Sequence, residues 1–274
     1  MKTKLEIARD WLPRYTGTPL EGLGEHILLT NFFNYLVKFS QRFDTPILGE
    51  GGPMQTVTNA DGLTLINFGM GSANAATIMD LLVACKPRGV LFLGKCGGLK
   101  RSAEIGRFIL PIAAIRGEGT SNDYTPPEVP ALPSFKLHKF VSNTVLQYRQ
   151  EYRTGVIYTT NRRVWEWDEQ FRERLRLLSA IGIDMETATV FIVGHVNQIP
   201  RGGGAVARLG RPNDAGGYQD AGIRQGCHCP LHGSAFGHRH PRHDRDRSAR
   251  RGNQALWLLR SHGSIHRQDG NDCG

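Results

Sequence analysis

A chain of 274 residues that is 39% hydrophobic and 22% charged is long and apolar enough for one sizeable α/β core or two small domains, which excludes a wholly disordered or collagen-like protein. Met1 to Tyr15 carries Lys2, Lys4, Glu6, Arg9 and Asp10 without the apolar run of a secretory leader, and no stretch reaches the roughly 18 apolar residues of a membrane span. The five cysteines, irregularly spaced, suit a reducing compartment better than a disulfide framework, and the net charge of +9 is too unevenly distributed to indicate nucleic-acid binding by itself.

In chain order, Leu63 to Phe68 reads as a short buried strand. It is followed by the turn Gly69-Met70-Gly71, with Ser72 placed to cap a helix. Ile78, Leu81, Leu82 and Cys85 then recur at i, i+3, i+4 and i+7, the stripe of a helix packed on a sheet. Gly89 to Leu93 is a second buried strand, opening into the glycine turn Gly94-Lys95-Cys96-Gly97-Gly98. Further strands are expected at Phe108 to Ile112, Gly155 to Thr159 and Ile181 to Asp184. Trp167, Phe171, Leu175 and Leu178 mark an amphipathic helix between the last two. Glu186 to Val196 is apolar nearly all round and reads as a buried helix. This alternation predicts an α/β fold over residues 1–200, a mixed central sheet flanked by helices.

From Arg201 the chain changes character. Residues 201–274 hold 12 Arg, 14 Gly, 7 His, 6 Asp and 3 Cys with no Lys and no Glu, so this stretch carries +6 of the net charge. No strand of alternating period and no long amphipathic helix is visible in it, and it is expected not to pack a core or complete the fold. Three readings compete. Arg-rich segments neutralise phosphates, which suggests a nucleic-acid arm. Cys227, His228, Cys229 and His232 cluster, but their spacing matches no common tetrahedral zinc site. The third reading is an out-of-frame translation. Taken from the second base of each codon, Ala205 onward permits Leu-Leu-Leu-Val-Ser-Asp-Val-Pro, a buried strand followed by a turn, and the run Arg201-Gly202-Gly203-Gly204 implies a G-rich tract where a frame can slip.

In sheets of this kind ligands gather at strand ends, which brings three segments forward. Gly69 to Asn74, with Gly71 and Ser72, and Gly94 to Gly98, with Lys95, Gly97 and Gly98, offer backbone N–H groups to an anion or sugar, or else merely make tight turns. Asp184-Met185-Glu186 places acids where a strand meets a buried helix, and Glu186 either caps that helix or meets a polar ligand.

The segments FGMGSANAATI (68–78), GVLFLGKCGGL (89–99), ILPIAAIRGEGTSNDYTPPEVPALP (109–133), YTTNRRVWEWDE (158–169) and IDMETATVF (183–191) together resemble the nucleoside phosphorylase and nucleosidase superfamily. GEGTS and TTNRR point within it to the AMP nucleosidases. The resemblance implies a cytoplasmic homo-oligomer that hydrolyses AMP to adenine and ribose 5-phosphate with no metal or organic cofactor. It implies that Met185 and Glu186 face the ribose, with Glu186 accepting the protons of its 2′- and 3′-hydroxyls. Lys95 is expected to meet the 5′-phosphate, Arg162 and Arg163 either to reach it or to serve at the surface, and Tyr158 and Trp165 to neighbour the base or belong to the core. The family's base-protonating acid is the Asp of a Ser-Asp segment, which this chain replaces with Leu209-Gly210-Arg211, so the expected domain is incomplete and its activity doubtful. A purine nucleoside phosphorylase, or a non-enzymatic nucleotide- or nucleic-acid-binding protein, stands as the alternative.

Overall fold

The computed structural model describes residues 1–100, 102–103 and 105–209, with only the main chain of residues 205–209. In order the elements are α1 (Lys4–Thr16), β1 (His26–Thr30), α2 (Phe33–Phe43), β2 (Gln55–Thr58), β3 (Leu63–Asn67), α3 (Ser72–Leu81), β4 (Gly89–Gly98), β5 (Phe108–Gly117), α4 (Phe135–Gln147), β6 (Tyr152–Thr160), α5 (Glu169–Leu177), β7 (Gly182–Asp184), α6 (Thr187–Val196) and β8 (Arg201–Leu209). Local chemistry accounts for several boundaries. α1 starts on a capping box in which Thr3 and Glu6 satisfy each other's backbone N–H groups. α5 starts where the Asp168 carboxylate accepts the Phe171 N–H.

The strands form one eight-stranded mixed sheet in the order β2-β3-β1-β4-β7-β6-β5-β8. β8 pairs with β5 and also runs parallel to β4, so β4, β7, β6, β5 and β8 close on themselves. β1 lies parallel to both β3 and β4, while β7 joins β4 antiparallel and β6 parallel. One core layer packs α1, α3 and α6 onto the sheet through residues such as Leu12, Ile78 and Phe191, and a second packs α2 and α4 on the other face through Leu36, Phe39 and Val141. α6 is buried on every side because it lies between the sheet and α3, as its apolar sequence requires.

The expected α/β class and mixed sheet are the ones observed, but three expectations need correction. First, Gly94 to Gly98 is not a turn, because β4 continues through it with only a bulge between Cys96 and Gly97. Its glycines serve close packing: a Cβ on Gly98 would lie 2.5 Å from the Ala103 carbonyl oxygen. Second, Ser72 does not cap α3. Gly71 does so at a φ of 97°, which L side chains rarely adopt, and Ser72 is already helical and buried. Third, Trp167 lies outside α5 and is exposed, so the stripe expected there begins only at Phe171.

The expectation of no strand beyond Pro200 also fails for residues 201–209, which form β8. This strand is held by main-chain pairing, which needs no side-chain pattern and is therefore invisible to periodicity. The rest of the Arg-, Gly- and His-rich segment, with its Cys227 to His232 cluster, lies outside the described residues.

Candidate active site

The parallel register of β1, β3 and β4 brings the chain leaving β1 at Asn31 and the turn leaving β3 at Gly71 to the same end of the sheet. β7 delivers Asp184, Met185 and Glu186 to that end, and the segment after β6 delivers Thr160 to Glu166. Together they enclose a cavity of about 270 Å³.

Seven of the eleven residues singled out in the sequence line it: Lys95, Gly97, Arg162, Arg163, Trp165, Met185 and Glu186. Gly71 and Ser72 stand just behind, where each holds a lining residue. The Gly71 N–H donates to Glu186 Oε1 at 2.8 Å, and Ser72 Oγ donates to the Met185 carbonyl oxygen at 2.6 Å. Gly98 and Tyr158 are not in the lining. Gly98 sits against Ala103, and Tyr158 is a core residue crossing Gly117 and meeting the Phe171 ring edge-on.

Glu186 is only 2% exposed, and its carboxylate accepts three hydrogen bonds. Besides the Gly71 N–H, Oε1 accepts Asn31 Nδ2 at 3.2 Å, and Oε2 accepts the Met185 N–H at 3.2 Å. The capping alternative falls to its neighbour. Asp184 Oδ2 accepts the Thr187 N–H at 3.0 Å and a short hydrogen bond from the Thr187 hydroxyl, while Oδ1 accepts Thr159 Oγ1 at 2.8 Å. With Asp184 as cap, the Glu186 side chain is released to the cavity. Burial pushes both carboxyls above their ordinary range, and the Asp184 charge pushes Glu186 further.

The same lining carries positive charge. Lys95 Nζ lies 3.8 Å from the centroid of the Phe32 ring and 5.5 Å from that of Tyr35. Arg162 donates to Asp168 Oδ2 at 2.8 Å and packs over Phe171, and Arg163 lies 3.8 Å from Glu166. Trp165, 4% exposed, is fixed edge-on to Phe171 at 5.7 Å. Cys96 also lines the cavity, but burial, helped by the Asp184 charge, pushes its thiol up and keeps it protonated. Among the described residues no group of three or more His, Cys, Asp or Glu is arranged to hold a metal ion, and no helix is long and apolar enough to cross a membrane.

The lining residues that sequence reasoning missed are Asn31, Phe32, Met70, Thr160, Glu166 and Ile183. Asn31 and Phe32 carry no local signal, since their place depends on β1 pairing beside β4. Met70, Thr160, Glu166 and Ile183 lie inside segments that the sequence brings forward, without being marked there individually.

The sequence profile of the phosphorylase superfamily matches residues 29–208. The chain is 30% identical to the AMP nucleosidase of Escherichia coli (strain K12), in an alignment spanning 73% of this chain and 50% of that protein, so it spans about half that relative's length. It is 55% identical to the AMP nucleosidase of Bacteroides thetaiotaomicron VPI-5482, whose crystal structure superposes with a TM-score of 0.73 over 76% of this chain and 88% of that one. A guanosine phosphorylase of Halorubrum lacusprofundi is 29% identical over 48% of this chain and 55% of its own.

Proposed function

We propose that this chain, which belongs to the phosphorylase superfamily, descends from enzymes that hydrolyse the N-glycosidic bond of AMP and carries their sugar- and phosphate-binding machinery. The observation that carries this reading is the make-up of one cavity, whose lining includes a buried carboxylate, Glu186, together with the cations Lys95, Arg162 and Arg163. A 5′-phosphorylated ribose calls for both kinds of group, an acceptor for its hydroxyls and cations for its dianion. The 55% identity to an AMP nucleosidase supports the same substrate.

Breaking the bond between N9 and C1′ builds positive charge on the ribose ring. A fixed carboxylate beside the ring stabilises that charge without having to reorganise, and this is the work assigned to Glu186, with Met185 packing beside the sugar. Lys95 and the two arginines hold the phosphate, so that binding energy from a part of the substrate that does not react orients the part that does. Trp165 bounds the space left for the base. The departing base also needs a proton. The segment expected to supply the acid, Leu209-Gly210-Arg211, contains none, and Gly210 and Arg211 lie outside the described residues. The proposal is therefore a competent binding site with a crippled protonation step, which costs about 10²–10⁴-fold in rate.

The test is adenine release from AMP by the 274-residue chain and by a frame-restored version carrying Leu209→Ser and Gly210→Asp within the alternative sequence. Restoration of turnover supports the reading, and AMP binding to neither protein contradicts it. The second reading, phosphorolysis, has the guanosine phosphorylase in its favour. It requires base release to depend on added inorganic phosphate and to yield ribose 1-phosphate from nucleosides.

A further inference from the structure

Glu186 reaches the cavity from the β7–α6 junction, but a group far away in the chain controls how it is presented. Asn31, immediately after β1, is 155 positions away and donates its Nδ2 to Glu186 Oε1 at 3.2 Å. The direction of this bond follows from chemistry, because a carboxylate oxygen can only accept, so the amide must turn its NH₂ toward Glu186. The Asn31 amide oxygen is thereby committed to the opposite side, where it is covered and has no hydrogen-bond partner among the described residues. An orphaned buried carbonyl oxygen is costly, and here that cost is tolerated while the donor stays on Glu186.

Glu186 is held by three uncharged donors, the N–H groups of Gly71 and Met185 and the amide of Asn31. The charged groups around it are Asp184 on β7, Lys95 on β4, and Arg162, Arg163 and Glu166 on the segment after β6. Of the three donors only Asn31 is a side chain, and only it can be changed without altering the main chain. We propose that Asn31 is a positioning residue, which fixes the orientation of Glu186 and favours its charged form in the cavity.

The inference rests on the reading of Glu186 as the sugar-facing carboxylate, and its test separates the two. In the full 274-residue chain with ¹³C-labelled glutamate, the side-chain carboxyl resonance lost in Glu186→Gln identifies the group, and its titration is followed by NMR without ligand. Asn31→Asp places a second negative charge where the donor was, and moves the Glu186 titration up by about one pH unit or more. Asn31→Leu removes the donor without adding charge and moves it up by less. Both are near-isosteric, and thermal melting checks that each is folded.

If the chain or its frame-restored version releases adenine, the acidic limb of kcat/KM shifts in the same order, with Asn31→Asp losing about tenfold more near pH 6 than near pH 8. A Glu186 titration that does not move in either variant overturns the inference even if AMP is cleaved, and so does a loss of kcat/KM that is equal at every pH. A shifted titration in protein that neither binds nor cleaves AMP overturns the functional reading while leaving Asn31 in its assigned role.

Discussion

Two pairs of neighbouring elements, α3 with α6 and β4 with β8, are fastened in opposite ways. The helix pair is bolted by side chains at both ends. Near the cavity Gly71 and Ser72 hold Glu186 and Met185, and at the far end Asp80 gathers Lys4 Nζ at 2.6 Å, Asn197 Nδ2 at 2.9 Å and the Tyr124 hydroxyl at 2.7 Å. The strand pair is held by its main-chain ladder from Val90–Arg201 onward, and Gly202, Gly203 and Gly204 contribute no side chains to the core beside it. The helix pair orients Glu186 and Met185 through side-chain bonds, and the main-chain pairing of β8 tolerates a sequence with almost no pattern.

The largest effect is expected from Glu186→Gln in a frame-restored background. Removing a preorganised charge at the developing cation lowers kcat/KM by about 10²–10³-fold, read as adenine release, while the fold persists. Next, Asp184→Ala strands the Thr187 N–H and the Thr159 and Thr187 hydroxyls in a buried position, and costs about 3 kcal/mol in urea unfolding. Ser72→Ala, which frees the Met185 carbonyl, costs about 1 kcal/mol and raises KM more than it lowers kcat.

The buried acids add a pH dependence. Their titrations are raised on folding, so the folded state holds these protons more tightly than the unfolded chain does. That contribution to stability is present at acid pH and is lost as pH rises from the ordinary carboxylate range to neutrality. Urea midpoints of the parent fall over that window, and those of Glu186→Gln fall less.

The smallest effect has the opposite sign and concerns the strand pair. A Cβ on Gly203 would meet the Phe191 ring at 3.5 Å, ordinary contact, and one on Gly204 would have no neighbour within 4 Å. Gly203→Ala should therefore stabilise by about 0.4–1 kcal/mol, mainly by restricting the unfolded chain. A loss of stability instead would show that β8 depends on those glycines.

What could be read in advance follows the same division. β3, the first half of β4 and α6 announce themselves as apolar runs, and Asp184-Met185-Glu186 stands out because acids interrupt such a run. Gly94 to Gly98 misleads because the reason for its glycines, the approach of Ala103 and Ile183, is tertiary. α2 begins at Phe33 without a side-chain cap and so gives no local start signal. Asn31 and Phe32 become site residues only through the pairing of β1 with β4, a fact held by neither segment alone. Tyr158 and Trp165, seven positions apart, both pack in the cluster around Phe171, and only the tertiary arrangement lets Trp165 line the cavity as well.

The closure of β4, β7, β6, β5 and β8 has a consequence for how copies of this protein meet. A sheet that ended at β8 would offer a second chain a row of unpaired amides and carbonyls, the usual template for runaway strand addition. Here β8 pairs with β4 from Arg201 to Leu209 and with β5 at Ala205 and Val206, and among the described strands the strand order ends at β2, four residues long. Even there Leu48 already exchanges both main-chain hydrogen bonds with Thr56. Among the described strands, the end of the strand order is therefore short and already partly covered, which leaves little of it for a second chain to extend.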